Sequence, residues 1–385
     1  MARVRTTIRA VGLVIAATAI AACGSRDYPG ADLDALPAAA VGAVSVTPAG
    51  LETTDLLNQN RSLTFLFDAD GDVVGRLEGN DVYATQAVAS AGRLTMVSAD
   101  AVTTLTPAGR AEVGIDEHMV TAAANDPANG AATIWFNSGG ESTYVAIDTD
   151  GTATTGAVPG VVEVAAQCGD RAVALTQGRE LADADGRWLF RLVELPAGGE
   201  PVERGRWRLD PDFSAASASA VCTADGSALL SLHRPPPPPD GGERGLVLVR
   251  TRLADGERTA EPVELAGQSP ATSRGSLTVV GDRLYWLTQS GTVLSMPLGG
   301  PAQARSEWTI PGADVNIASV SGTTVSALDL HAAPTFAQYD LVTGERITDP
   351  VTLPWLTEIV DSEAESGNTA YVVSDLDGLL PRSDD

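Results

Sequence analysis

Lysine is absent from the chain. That excludes Schiff-base chemistry on a lysine amine and lysine-held phosphates. Histidine occurs only at His118, His233 and His331, so a histidine-rich metal centre has few possible donors. Aromatic residues make up 5% of the chain, and there are three cysteines. Basic residues are outnumbered, 25 arginines against 50 acids, for a net charge of −25. Nucleic-acid binding draws its affinity from phosphate neutralisation, so this balance excludes nucleic acid as a partner. The longest apolar run, residues 10–22, is too short to span a bilayer, which takes about 20 residues of helix. No Gly-x-Ser-x-Gly, Walker loop or dinucleotide fingerprint occurs.

The N-terminus carries Arg3, Arg5 and Arg9 without an acid, then AVGLVIAATAIAA, then Cys23. A basic start, a short apolar stretch and small residues at its end form a secretory signal. Ile20-Ala21-Ala22-Cys23 resembles the bacterial lipobox: an aliphatic residue, two small residues and a cysteine. The resemblance implies cleavage before Cys23, which becomes a diacylated N-terminus on the outer side of the cell membrane. Two acyl chains anchor stably where one is marginal, because each buried CH₂ contributes about 0.8 kcal/mol. Removing residues 1–22 takes three arginines and no acid, leaving a net charge of −28.

From about residue 60, short runs rich in Val, Leu, Thr and Ala alternate with glycine turns, and sustained helical periodicity is missing. One turn recurs at Gly71, Gly109, Gly151, Gly199, Gly256, Gly300 and Gly344. A second series of turns, including Gly92, Gly130, Gly169, Gly226 and Gly281, precedes it in successive units. Such dipeptides suit tight hairpins because glycine tolerates positive φ. Each unit is then four antiparallel strands of about 45 residues, the period of a propeller blade. Over residues 61–377 the units resemble the blades of PQQ-type and WD40-like β-propellers, although no Trp-Asp dipeptide is present.

The expected fold is all-β: a seven-bladed β-propeller of four-stranded antiparallel blades, closed by N- and C-terminal half-blades. Six complete blades fall at about 82–115, 118–158, 161–209, 213–266, 269–311 and 313–354. Residues 61–77 supply the two outer strands of the last blade, and residues 356–376 its two inner strands. The domain plan is a signal peptide (1–22), a lipidated cysteine and flexible tether (23–60), the propeller (61–380) and a tail (381–385).

With Cys23 acylated, Cys168 and Cys222 remain as an even pair in an exported protein, where a disulfide is permitted. They occupy equivalent places in adjacent blades, so a bridge is geometrically plausible if their Cα atoms lie within about 7 Å. Two free buried thiols are the alternative. A candidate binding face is formed by the loops that lead into the innermost strands and by those that follow the second strands. It carries Asp116, Glu117, His118, Asp183, Asp185, Asp210, Asp212, His233 and His331. Histidine with carboxylates suits a transition metal or a general base, but the three histidines stand in non-adjacent blades, so no metal site is expected. Asp68-Ala69-Asp70-Gly71-Asp72 and Asp148-Thr149-Asp150-Gly151 look like calcium loops. The first has Gly79 at the twelfth position, where a bidentate glutamate is required, and both are read as hairpin turns. Pro235–Pro239 form a stiff polyproline segment, either a docking arm or an insertion without a partner.

These features predict a monomeric, membrane-anchored binding or scaffold module without a cofactor or catalytic residues. Its partner would be an envelope protein or glycan. The alternative is a lactonase- or lyase-like propeller enzyme with a metal in the central channel.

Overall fold

The structure is a computed structural model that describes residues 28–48, 62–79, 87–90, 92–97, 100–116, 119–178, 184–209, 214–236, 238, 244–267, 272, 277–312, 317–331, 333–360 and 371–379. The chain opens with β1 (Gly42–Pro48), β2 (Leu63–Phe67) and β3 (Val73–Glu78). A first four-strand repeat holds β4 (Ala87–Ser90), β5 (Arg93–Val97), β6 (Ala101–Thr106) and β7 (Gly109–Gly114). The next holds β8 (Val120–Asn125), β9 (Ala132–Asn137), β10 (Glu141–Ile147) and β11 (Ala153–Pro159). Then come β12 (Val161–Cys168), β13 (Arg171–Gly178), β14 (Trp188–Leu195) and β15 (Val202–Leu209). They are followed by β16 (Ser214–Cys222), β17 (Ala228–Arg234), β18 (Leu246–Arg252) and β19 (Arg258–Val263). β20 (Thr278–Val280), β21 (Arg283–Leu287), β22 (Thr292–Pro297) and β23 (Arg305–Thr309) precede the last full repeat. That repeat is β24 (Ile317–Ser321), β25 (Thr324–Asp329), β26 (Thr335–Asp340) and β27 (Val351–Thr352). Helix α1 (Pro354–Val360) and β28 (Tyr371–Gly378) end the described chain.

The sheets radiate from their first strands. β28 lies beside β24 and β4, β8 beside β4 and β12, and β16 beside β12 and β20. Antiparallel sheets arranged this way about a central axis form a β-propeller. The expectation of seven separate blades is corrected. Five sheets are independent four-stranded blades, and the remaining eight strands form one continuous sheet, β15-β14-β13-β12-β16-β17-β18-β19. The join is a parallel bridge between Ala165 and Ser219 on the inner strands β12 and β16. It forms where β16 departs from regular pairing between Ala215 and Ala220. Four residues there have no regular partner on β17, and the displaced backbone meets β12.

The two-plus-two closure is also corrected. The closing blade has the order β28-β1-β2-β3, one C-terminal strand against three N-terminal ones. Part of the stretch read as a flexible tether is therefore structural. β1 pairs with β2 and β28 on its two sides, and Ala43, Val44 and Val46 are buried. Before it, the chain lies along the outer edge of β3, where Arg76 N donates to Ala31 O at 2.9 Å. The Arg76 guanidinium donates to the carbonyls of Tyr28 and Gly30. Small residues and prolines disguised this segment, whose alternation Ala-Val-Ser-Val is a strand signal. At the other end, residues 354–360, which overlap the expected inner strands, form α1, with Leu356 and Ile359 buried. The expected tail, 381–385, lies outside the described residues.

Both faces of a blade are covered by its neighbours, so middle strands are apolar almost throughout. β9 reads ATIWFN with five buried residues, whereas the outer strand β7 reads GRAEVG and is half-exposed. Large side chains fill the junctions. Phe67 of the closing blade meets Phe336 of β26 edge-on at 5.0 Å between ring centroids. Each such buried side chain contributes about 1.5–3 kcal/mol.

A second device recurs around the ring: a side-chain donor of one repeat binds a turn carbonyl of the next. Arg93 donates to Asp148 O (3.1 Å) and Thr149 O (2.7 Å), and Arg171 to Gly226 O (2.7 Å). Arg250 donates to Leu298 O (2.9 Å), and Trp308 Nε1 to Leu341 O (2.8 Å). Trp355 Nε1 completes the circuit on Gly71 O (2.9 Å). Turn carbonyls have lone pairs that need partners, and these donors use them to lock neighbours together.

Candidate functional site

The chain direction puts the β7–β8, β13–β14 and β25–β26 connections, and the C-terminal end of β17, at one end of the strands. The described members of the candidate face follow that placement without converging on a reactive centre. Asp116 is exposed after β7. Asp185 pairs with Arg187 at 3.3 Å, both exposed. His331 is exposed; its Nδ1 lies 3.0 Å from Asp329 Oδ1, which also accepts the His331 backbone N–H at 2.9 Å. That backbone hydrogen bond, with the imidazole's help, lowers the Asp329 pKa. Glu117, His118, Asp183, Asp210 and Asp212 lie outside the described residues, as does Cys23.

His233 departs from the expected surface role. It is 1% exposed, at the end of β17, and its Nε2 lies 2.9 Å from Ser231 Oγ. Burial, then the positive charge of Arg258, lowers its pKa to about 3, so it is neutral at physiological pH. Two positions along a strand share a face, which is why Ser231 and His233 meet. The sequence marked His233 as a strand end; in the fold β17 lies between β16 and β18, and His233 stands opposite Ala215 and Val247.

Cys168 and Cys222 are joined as a disulfide with a Cα–Cα distance of 5.6 Å. They end β12 and β16, at the strand ends opposite the candidate face, close to the parallel bridge. Arg171 reinforces this junction through Gly226, and Glu194 of its own repeat, with Oε2 3.5 Å from Arg171 Nη1, holds the guanidinium in place. Gly256, with φ +71°, packs so closely on Gly205 that a Cβ would lie 2.6 Å from the Gly205 Cα. Only glycine suits both the backbone and the space.

The two calcium-like loops are hairpin turns. Asp68 Oδ1 accepts the backbone N–H groups of Asp70 and Asp72, and Asp148 Oδ1 that of Thr152. Burial, then Asp150, raises the Asp148 pKa, while hydrogen bonds from Asp148 and Thr152 hold Asp150 at about 2. Asp148 and Asp170 line a crevice with Thr133, Tyr144 and Gln167, whose volume of about 30 Å³ suits a single water.

An acidic pair on the closing strand went unmarked in the sequence. Asp375 Oδ2 accepts the Ala87 N–H at 2.9 Å, tying β28 to the first full blade. Asp377 is 9% exposed, and its Oδ2 has no hydrogen-bond partner among the described residues. Burial, reinforced by Asp375, raises its pKa well above the usual carboxylate value. The spacing Asp-Leu-Asp was a signal that both would share one face of a strand. Among the described residues, no three His, Cys, Asp or Glu side chains come together as a metal site.

No protein-family model and no curated protein matches the chain. Among solved structures it is similar to the β-propeller domain of the Trilobed protease from Pyrococcus furiosus, at 11% identity and TM-score 0.47, over 85% of this chain and 98% of that one. It is also similar to apo AztD from Citrobacter koseri, at 12% identity and TM-score 0.43, over 86% and 98% of the two chains. A third is the dihydro-heme d1 dehydrogenase NirN in complex with DHE, at 12% identity and TM-score 0.41, over 84% and 75%. At these values the propeller assignment rests on this chain's own strand order.

Proposed function

We propose that this protein is an extracytoplasmic lipoprotein, diacylated on Cys23, whose propeller is a non-catalytic binding module of the cell envelope. The lipobox-like Ile20-Ala21-Ala22-Cys23 carries the reading. The propeller supports it with a rigid body on whose candidate face His331 pairs with Asp329 and Asp185 with Arg187. Fold alone does not assign function, so the loops and edges of the disc are where a partner would be recognised.

Closure by β1 changes how such an anchor would act. Tyr28 already packs against the closing blade, its ring 6.0 Å from that of Tyr371. Four residues, 24–27, separate it from Cys23. At roughly 3.5 Å per extended residue they and the flanking bonds reach about 15–20 Å. The disc would sit close to the bilayer with its closing blade nearest, rather than roam on a long leash.

The test is expression of wild type and Cys23→Ala in a bacterial host with labelled palmitate. Wild type should take up label and sediment with membranes. Cys23→Ala should remain unlabelled, soluble and folded. Equal partitioning of the two forms would overturn the anchor. For the non-catalytic part, a stoichiometric metal in the purified soluble protein would favour the enzyme reading instead.

A further inference from the structure

The outermost strand of a blade presents backbone groups that no further strand satisfies, and proteins normally blunt such edges with charge, brevity or covering chain. Most rims here follow that rule. β3 is covered by the segment at Ala31, and β7 carries Arg110 and Glu112, with Arg110 also paired to Asp32. β15 carries Glu203, Arg204, Arg206 and Arg208, and β23 carries Arg305 and Glu307. β19 carries Arg258 and Glu261, and its continuation pairs through Glu264 with Gln303 of the next repeat. β27 is two residues long.

β11 is the exception. Its sequence, ATTGAVP, has no charge, and among the described residues nothing pairs with the outer edge of Ala153–Val158. It pairs with β10 in unbroken register over all seven residues, without a bulge to twist the edge away. Ala153, Thr155 and Ala157 are exposed. Acids flank it: Asp148 and Asp150 precede it, and Glu141 stands opposite Pro159. Arg93 is the cation near this turn, and it is engaged with the carbonyls of Asp148 and Thr149.

We propose that β11 is a docking edge for an extended segment of a partner protein, one that is uncharged and β-prone in the middle and basic at both ends. This rests on the reading of the protein as a binding module and names the partner's chemistry. Main-chain hydrogen bonds would give affinity, and the flanking acids would select the partner and set its position. A second copy of this chain is the poorer occupant. Antiparallel pairing of two β11 strands would bring Asp148 and Asp150 of one copy towards the end of the sheet where Glu141 of the other stands, and like charges disfavour that approach.

The test uses the soluble protein and two fluorescein-labelled probes, Lys-Thr-Val-Thr-Val-Thr-Lys and Glu-Thr-Val-Thr-Val-Thr-Glu, followed by anisotropy. The basic probe should bind at least about tenfold more tightly than the acidic one. Thr155→Lys with Ala157→Lys should weaken it by about tenfold or more, with the thermal transition unchanged, because both side chains are exposed. Absence of binding, equal binding of the two probes, or full binding by the double variant would overturn the proposal. So would a concentration-dependent dimer abolished by the double variant, which would make the occupant a second copy. If the probes fail while crosslinking on membranes captures a partner elsewhere on the disc, the docking edge falls and the binding-module reading stands.

Discussion

Trp355 and Gly71 stand 284 residues apart, yet the Trp355 indole N–H donates to the Gly71 carbonyl at 2.9 Å. The contact joins the last full repeat to the closing blade. Trp355 also packs on Phe65, with ring centroids 5.1 Å apart. Trp355→Phe keeps much of the packing and loses the hydrogen bond, so it should cost about 1 kcal/mol. Trp355→Ala loses both and should cost about 3 kcal/mol or more. Denaturant unfolding of the two variants separates these contributions; equal losses would show that the ring packing carries nothing beyond the hydrogen bond.

Reduction of Cys168–Cys222 should lower stability without dismantling the ring. The bridge spans 54 residues, and a crosslink of that kind typically contributes about 2–4 kcal/mol. The parallel bridge at Ala165 and Ser219 and the Arg171–Gly226 hydrogen bond still hold the two repeats together. The far-ultraviolet circular dichroism of the Cys168→Ser, Cys222→Ser protein should therefore match wild type, while its melting temperature falls.

His233 should give the protein an acid-sensitive term. Its folded pKa of about 3 lies below the unfolded value of about 6.5. As the pH falls through about 6.5 the unfolded chain takes up a proton that the folded one refuses, so stability is lost progressively down to about pH 3. His233→Gln removes the titration and keeps a polar partner for Ser231. Its melting temperature should fall less than that of wild type between about pH 6 and pH 4.

Asp377 should act in the opposite sense. Its folded pKa is raised, so above about pH 4 the unfolded chain ionises while the folded one stays protonated. This group's contribution is full below about pH 4 and declines as the pH rises towards the folded pKa. Asp377→Asn, close in shape and uncharged, should raise stability at neutral pH, by about 1 kcal/mol or more, and do little near pH 4. Equal effects at both pH values would place the cause in packing rather than ionisation.

Much of this was legible from local chemistry. The recurrent glycine turns marked the hairpins and the four-strand units between them. The cysteines' equivalent places pointed to a possible bridge. The candidate face was legible only as a list of loop residues. Nothing around His233 in the sequence said that the folded sheet would bury it, and Asp375 and Asp377 look like surface acids until β28 is placed innermost.

The sequence by itself determined the four-strand period, the turn positions, the all-β class and the lipobox-like N-terminus, because each depends on residues within a few positions of one another. Only the tertiary structure decided how the ring closes, that two repeats fuse into one sheet, and which polar groups are sealed in the junctions. β1 finds β28 across more than 300 residues, and β12 meets β16 through a distortion that no dipeptide announces. Pairing at that separation is chosen by the shape of the assembled ring, to which local turn chemistry contributes only the parts.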